Sequence, residues 1–297
     1  MARSPSLLDP RAISKGAPLG LMARRIVEGY RVGEHRSPLR GFAIEFAQHR
    51  EYTHGDDIRH LDWKVLGRSD RYYIKQYEQD TNYVAHILVD GSESMSYGSE
   101  ELTKMQYAKV LAACLAHLIL IQRDAAALAI FDTEVREYLP RTDNPGKINL
   151  IMDRLSAFEP SQGTRLGDCL EQLALKVKSR GIVILISDFL EPSEELVRGL
   201  RRLTYSGNEV IVFQVLDPAE LTLPFKGAVQ FVGLEGAPEM KTLPSDIRND
   251  YLKRIQEHLT SVRHACERHN SHYVLADTGK PLAETLAGYL AFRRRAG

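Results

Sequence analysis

From Asn82 to the C-terminus, short apolar runs alternate with longer stretches in which apolar residues recur at helical spacing. Val84–Val89, Ala126–Phe131, Ile182–Ile186, Val210–Leu216 and Tyr273–Ala276 read as strands. Ile182–Ile186 is continuously apolar and rich in β-branched residues, as a strand covered on both faces should be. Between the strands, Met105, Ala108, Ala112, Leu115 and Ile119 mark one face of a helix over Thr103–Gln122, and Thr103 with Gln106 makes a capping box at its start. Pro145 opens a helix over Asn144–Ala157, and Leu166, Leu170, Leu173 and Val177 share a face of the next one. Further helices are predicted over Ser193–Thr204, Asp246–His269 and Leu282–Arg295, with a β-return at Val135–Leu139 and an edge strand at Ala228–Val232. Strands and helices in alternation imply an α/β fold, a doubly wound, mostly parallel sheet flanked by helices.

The first 81 residues lack this rhythm. Residues 1–35 are basic and broken by Pro5, Pro10 and Pro18, and are expected to be a poorly structured arm with a short helix over Ala23–Tyr30. Residues 36–81 form a second segment, polar and dense in charge, that is expected to pack on the 82–297 domain. Its centre holds Arg50, Asp56, Asp57, Arg59, Asp62 and Trp63, the last being the chain's sole tryptophan. Carboxylates interleaved with arginine predict a salt-bridge network rather than a metal site, with Trp63 as a packing anchor. Tyr72–Tyr77 alternates like a strand.

The composition, 43% hydrophobic and 26% charged over 297 residues, is that of a globular protein. A net charge of zero argues against coating nucleic acid or an anionic membrane. The charge is uneven, with nine Lys/Arg against four acids in residues 1–50, which reads as a solvated or acid-contacting arm. Cys114, Cys169 and Cys266 are far apart and form no C-x-x-C pair, so buried helix cysteines in a reducing compartment are expected. The N-terminus lacks a signal peptide's apolar core, and the run Val110–Ile121 is too short to span a bilayer. The expected location is the cytoplasm.

Chemistry concentrates at Asp90-Gly91-Ser92-Glu93-Ser94, directly after a strand. Three hard oxygen donors alternate there: the Asp90 carboxylate and the hydroxyls of Ser92 and Ser94. Ligands of open parallel sheets bind beyond the carboxyl ends of the strands. Asp188 also follows a buried strand, and Thr164 opens a helix after a connection returning to the same edge. The candidate cluster is Asp90, Ser92, Ser94, Thr164 and Asp188, all oxygen, which selects Mg²⁺, or Mn²⁺ or Ca²⁺, over zinc. The competing reading makes Ser92, Ser94 and Thr164 helix caps and Asp188 a strand-end turn residue.

The D-x-S-x-S spacing of Asp90, Ser92 and Ser94, with the later Thr164 and Asp188, resembles the metal-ion-dependent adhesion site (MIDAS) of von Willebrand factor A-type domains. Glu45-Phe46, Arg50-Glu51-Tyr52, Gly55-Asp56-Asp57-x-Arg59-x-x-Asp62-Trp63, Lys75-Gln76-Tyr77-Glu78 and Ser187-Asp188-Phe189 resemble the bacterial family called domain of unknown function fifty-eight (DUF58). The resemblance implies a von Willebrand factor A-like fold and a MoxR-type AAA+ ATPase, or its substrate, as partner, supplying an Asp or Glu to the metal. Many family members carry transmembrane helices ahead of this region, so the chain resembles a short, soluble member.

Three functions are open at this point. The first is a metal-dependent protein-binding module without catalysis. The second is a metal-dependent phosphohydrolase, but the position two residues after Asp90, where such enzymes place an acid/base, is Ser92. No P-loop and no H-E-x-x-H spacing occurs. The third, nucleic-acid binding through the basic arm, has no aromatic-basic platform to support it.

Overall fold

The structure is a computed structural model that describes residues 19–34, 49–51, 72–75, 84–177, 180–190, 193–234 and 239–296. In chain order the elements are α1 (Leu19–Glu34), β1 (His49–Glu51), β2 (Tyr73–Lys75), β3 (Val84–Asp90), α2 (Lys104–Ile121), β4 (Ala125–Phe131) and β5 (Val135–Thr142). They continue with α3 (Ile148–Ala157), α4 (Leu166–Lys176), β6 (Gly181–Ser187), α5 (Ser193–Tyr205), β7 (Glu209–Leu216), α6 (Pro218–Thr222), β8 (Val229–Phe231), β9 (Met240–Thr242), α7 (Pro244–Arg268), β10 (His272–Asp277) and α8 (Leu282–Ala296). Two compact units result, one of Met1–Ser37 with Tyr83–Gly297 and one of Pro38–Asn82.

In the larger unit a six-stranded sheet runs in the order β10-β7-β6-β3-β4-β5. Every neighbouring pair is parallel except β4 with β5. This is the expected fold class, α/β, with a doubly wound, mostly parallel sheet flanked by helices. Strands β3, β4 and β6 are buried along their whole length, because helices cover both faces. Alternate residues divide between two cores. Ile87, Val89, Ile184, Ile186 and Phe213 face α1, α2, α3 and α8, while Leu88, Phe131, Leu185 and Val212 face α4, α5 and α7. The chain steps from β3 to β4 on one side and later places β6 on the other side of β3. That reversal opens a crevice at the carboxyl ends of β3 and β6, the position where ligands of open α/β sheets bind.

Several expectations need correction. The short helix expected over Ala23–Tyr30 is present but longer, Leu19–Glu34, and belongs to the core instead of a loose arm: Ala23, Ile26 and Val27 are completely buried against α2 and α3. Their i, i+3, i+4 spacing carries the signal, and tertiary burial rather than propensity holds the helix. The predicted edge strand at Ala228–Val232 is β8, but it pairs with β9 in a separate two-stranded sheet instead of extending the main one. Thr103 does cap α2 in a reciprocal box with Gln106. α2 is long and apolar enough to cross a membrane by composition, yet 83% of it is buried in the core. Cys114, Cys169 and Cys266 are buried free thiols on α2, α4 and α7.

In the smaller unit β1 and β2 pair antiparallel, Arg50 opposite Ile74. Asp56, Asp57, Arg59, Asp62 and Trp63 lie outside the described residues, and of Arg50 the backbone alone is described, so their predicted network is not addressed.

Candidate metal centre

Strand β3 ends at Asp90, whose carboxylate is almost wholly buried. Gly91 follows because nothing larger fits: its amide donates to the Phe131 carbonyl at 2.7 Å, and an added Cβ would lie 2.4 Å from the Phe158 ring. The chain then enters a single 3-10 turn over Glu93–Ser96, tied to the loop before α4 by the Glu93 amide on the Gln162 carbonyl at 2.7 Å. That tie holds the Ser92–Ser94 loop beside Thr164.

The Asp90 carboxylate organises the site. Oδ1 accepts from the Ser92 amide at 2.9 Å and from the Thr164 hydroxyl at 3.3 Å. Oδ2 accepts from the Ser187 hydroxyl at the end of β6. The Ser92 and Ser94 hydroxyls lie 3.0 Å apart. Ser92 occupies the cap position of the 3-10 turn but makes no side-chain cap bond, and the cap of α4 is Arg165, not Thr164. The capping alternative therefore fails for Ser92 and Thr164: the Thr164 hydroxyl turns to Asp90 and the Ser92 hydroxyl to Ser94.

Asp188 comes to the same edge, buried after β6, and its Oδ1 accepts the Leu190 amide at 3.3 Å in a strand-end turn. Phe189 takes a left-handed φ of 54° there. The other oxygen, Oδ2, accepts from the ammonium of Lys104 at 2.7 Å. Lys104 is fully buried and also donates to Glu220 Oε1 on α6 at 2.7 Å. Glu220 in turn receives the Asp217 amide at 2.8 Å in the capping box of α6, and the Asp217 carboxylate receives the Ser99 amide at 2.8 Å. Sequence reasoning missed Lys104, Ser187 and Glu220. A signal for Lys104 existed: a lysine at the first position of an apolar helix opposes the helix dipole, so it needs a specific anionic partner.

Electrostatics follow from burial. Burial, then the neighbouring Asp188 charge, pushes the Asp90 carboxyl from 3.8 up to about 7, against the pull of its hydrogen bonds from Ser187 and Ser92. Burial alone would lower Lys104, and Asp188 and Glu220 together reverse that and raise it. Glu220 is raised by burial, with Lys104 opposing. Three carboxylates thus face one ammonium. A divalent cation would suit this set: an all-oxygen group of donors, hydroxyls committed to no helix cap, and two units of uncompensated negative charge once Asp90 is ionised. The structure brings all five expected residues to one edge. It differs from the expectation in giving half of Asp188 to Lys104, which leaves Asp90, Ser92, Ser94 and Thr164 as the closest-knit donors.

Residues 48–261 match the family described as protein of unknown function DUF58, and the chain belongs to that family. Uncharacterized protein Rv1480 of Mycobacterium tuberculosis is 25% identical over 291 residues, covering 97% of this chain and 91% of its own. Among solved structures, conserved hypothetical protein BatB from Bacteroides thetaiotaomicron is similar at a TM-score of 0.47 and 16% identity, over 72% of this chain and 99% of its own. The SpRpn10 VWA domain is similar at a TM-score of 0.40 and 17% identity, over 69% and 93% of the two chains.

Proposed function

We propose that this chain is a cation-dependent protein-interaction module. Asp90, Ser92, Ser94 and Thr164 would hold a divalent cation, Mg²⁺ by donor chemistry, with Asp188 completing the charge around it. An Asp or Glu of a partner protein would supply a further oxygen. The observation that carries this reading is the convergence of the Thr164, Ser187 and Ser92 groups on one buried carboxylate, Asp90, at the sheet's switch point. Ser92 in place of an acid two residues on from Asp90 supports binding over phosphoryl transfer. The proposed partner is a MoxR-type AAA+ ATPase or its substrate, in the cytoplasm; resemblance to the family supports that choice.

The test has two parts. EDTA-stripped protein titrated with Mg²⁺, Mn²⁺ and Ca²⁺ in a calorimeter should bind one ion, and Asp90→Ala should not. Affinity purification from cells encoding the ATPase should recover it with Mg²⁺ and lose it with EDTA or Asp90→Ala. Equal recovery under all three conditions would remove the metal bridge from the account.

A further inference from the structure

Resting on that reading, we propose that the metal centre and an apolar groove beside it form one docking surface for a protein segment in which an acidic side chain is flanked by a bulky apolar one. A single cavity of about 460 Å³ has Asp90, Ser94, Thr164 and Asp188 on its polar side and Leu190, Phe225, Phe231, Val232 and Leu234 on its apolar side. That volume suits a few side chains rather than a whole domain. Phe225 and Phe231 pack edge to face, centroids 5.8 Å apart, and hold the wall. The rim is exposed: Leu190 by 50%, Val232 by 61% and Leu234 by 41%. Three large apolar side chains standing in water around one polar floor mark an interaction site. A ligand confined to the cavity would leave Val232 and Leu234 wet, whereas a segment with its own backbone crossing the rim covers them.

Charge fixes the polar half of the occupant. Lys104 is the one basic side chain among the described residues lining the cavity, and Asp188 and Glu220 already engage it. Without a cation the floor repels a carboxylate. With a divalent cation the three carboxylates are balanced and an acidic oxygen is welcome. Preference for an acid therefore depends on the metal, and preference for an apolar neighbour does not.

The test is to pan a random linear peptide library on the full chain, in Mg²⁺ and in EDTA. Sequences enriched in Mg²⁺ should carry Asp or Glu beside Leu, Ile, Phe, Met or Tyr. A synthetic winner should bind roughly tenfold more weakly to a Val232→Ser/Leu234→Ser protein, as loss of two half-exposed apolar contacts implies, while that protein's Mg²⁺ titration is unchanged. EDTA and Asp90→Asn should remove the acid preference. Acidic winners without apolar neighbours, or full affinity for the double-serine protein, would overturn the groove and leave the metal centre standing. Winners without acids in Mg²⁺, or no winners, would overturn both. A concentration-dependent dimer that the double-serine change dissolves would assign the groove to a second copy of the chain and overturn the proposal.

Discussion

Replacing Lys104 with methionine keeps the aliphatic stem and removes the ammonium, so packing changes little while the charge balance changes fully. Lys104 is completely buried and holds Asp188 and Glu220 at 2.7 Å each, their side chains 4% and 17% exposed. Removing one partner from a buried ion pair leaves uncompensated charge and costs about 3–5 kcal/mol. At ~2–4 °C per kcal/mol for a unit of this size, the melting temperature in EDTA should fall on the order of 10 °C near neutral pH. The loss should depend on pH. With the ammonium gone, nothing opposes the burial that already raises Glu220 above its unfolded value. Such carboxylates favour the folded state below the unfolded pKa and lose that contribution as pH rises through the folded one. The variant should therefore approach wild type near about pH 5 and diverge near about pH 8. Mg²⁺ should restore it more than it stabilises wild type, because the cation takes over the missing charge. Lys104→Met/Asp188→Asn should recover part of the loss, a coupling that a double-mutant cycle reads directly. Calorimetric scans of the four proteins at the two pH values measure all of this. A single variant melting within 2 °C of wild type (about 1 kcal/mol or less) in EDTA near pH 8 would refute the account.

Asp90→Asn should raise the melting temperature of the EDTA-stripped protein near about pH 8 and erase its response to Mg²⁺. Ionising Asp90 with a folded pKa of about 7 instead of 3.8 costs the fold up to ~4 kcal/mol above that window. His86 gives the opposite slope on the acid side: burial and then Arg141 push it from 6.5 down to about 4, and its Nε2 has no partner among the described residues. Its neutral form contributes up to ~3 kcal/mol above pH 6.5, lost as pH falls toward 4, so His86→Leu should flatten the acid limb of stability followed by urea titration. Gly91→Ala, with its Cβ 2.4 Å from Phe158, should destabilise by about 1–3 kcal/mol and weaken Mg²⁺ binding, and Phe158→Leu in the same chain should restore both in denaturation and calorimetry.

Much of the fold was legible in the sequence because its signals are local. Strand β3 is seven consecutive buried residues, and the capping box of α2 is four residues long. Periodicity and cap chemistry report such elements without reference to anything distant. The D-x-S-x-S loop was legible for the same reason: it follows its strand directly, and the parallel-sheet rule places it at an edge. What was not legible depended on partners far along the chain. A helix over Ala23–Tyr30 was legible, but not its extension to Leu19–Glu34 or its place in the core, since its three core residues matter only once α2 and α3 lie beside them. The strand β8 looked like a sheet edge, since nothing local reveals that β9 is its partner.

The sequence by itself determined most of the order of strands and helices and the oxygen donors that follow β3 and β6. Tertiary structure alone decided that Ser187 shares Asp90 across 97 positions, and that Lys104 reaches Asp188 across 84 and Glu220 across 116. It also set the Asp90 carboxyl near 7, because a carboxyl's pKa follows from how much water folding removes and which charges it brings near. A residue's type fixes what it is able to donate or accept. The packed sheet fixes with whom, and at what electrostatic cost.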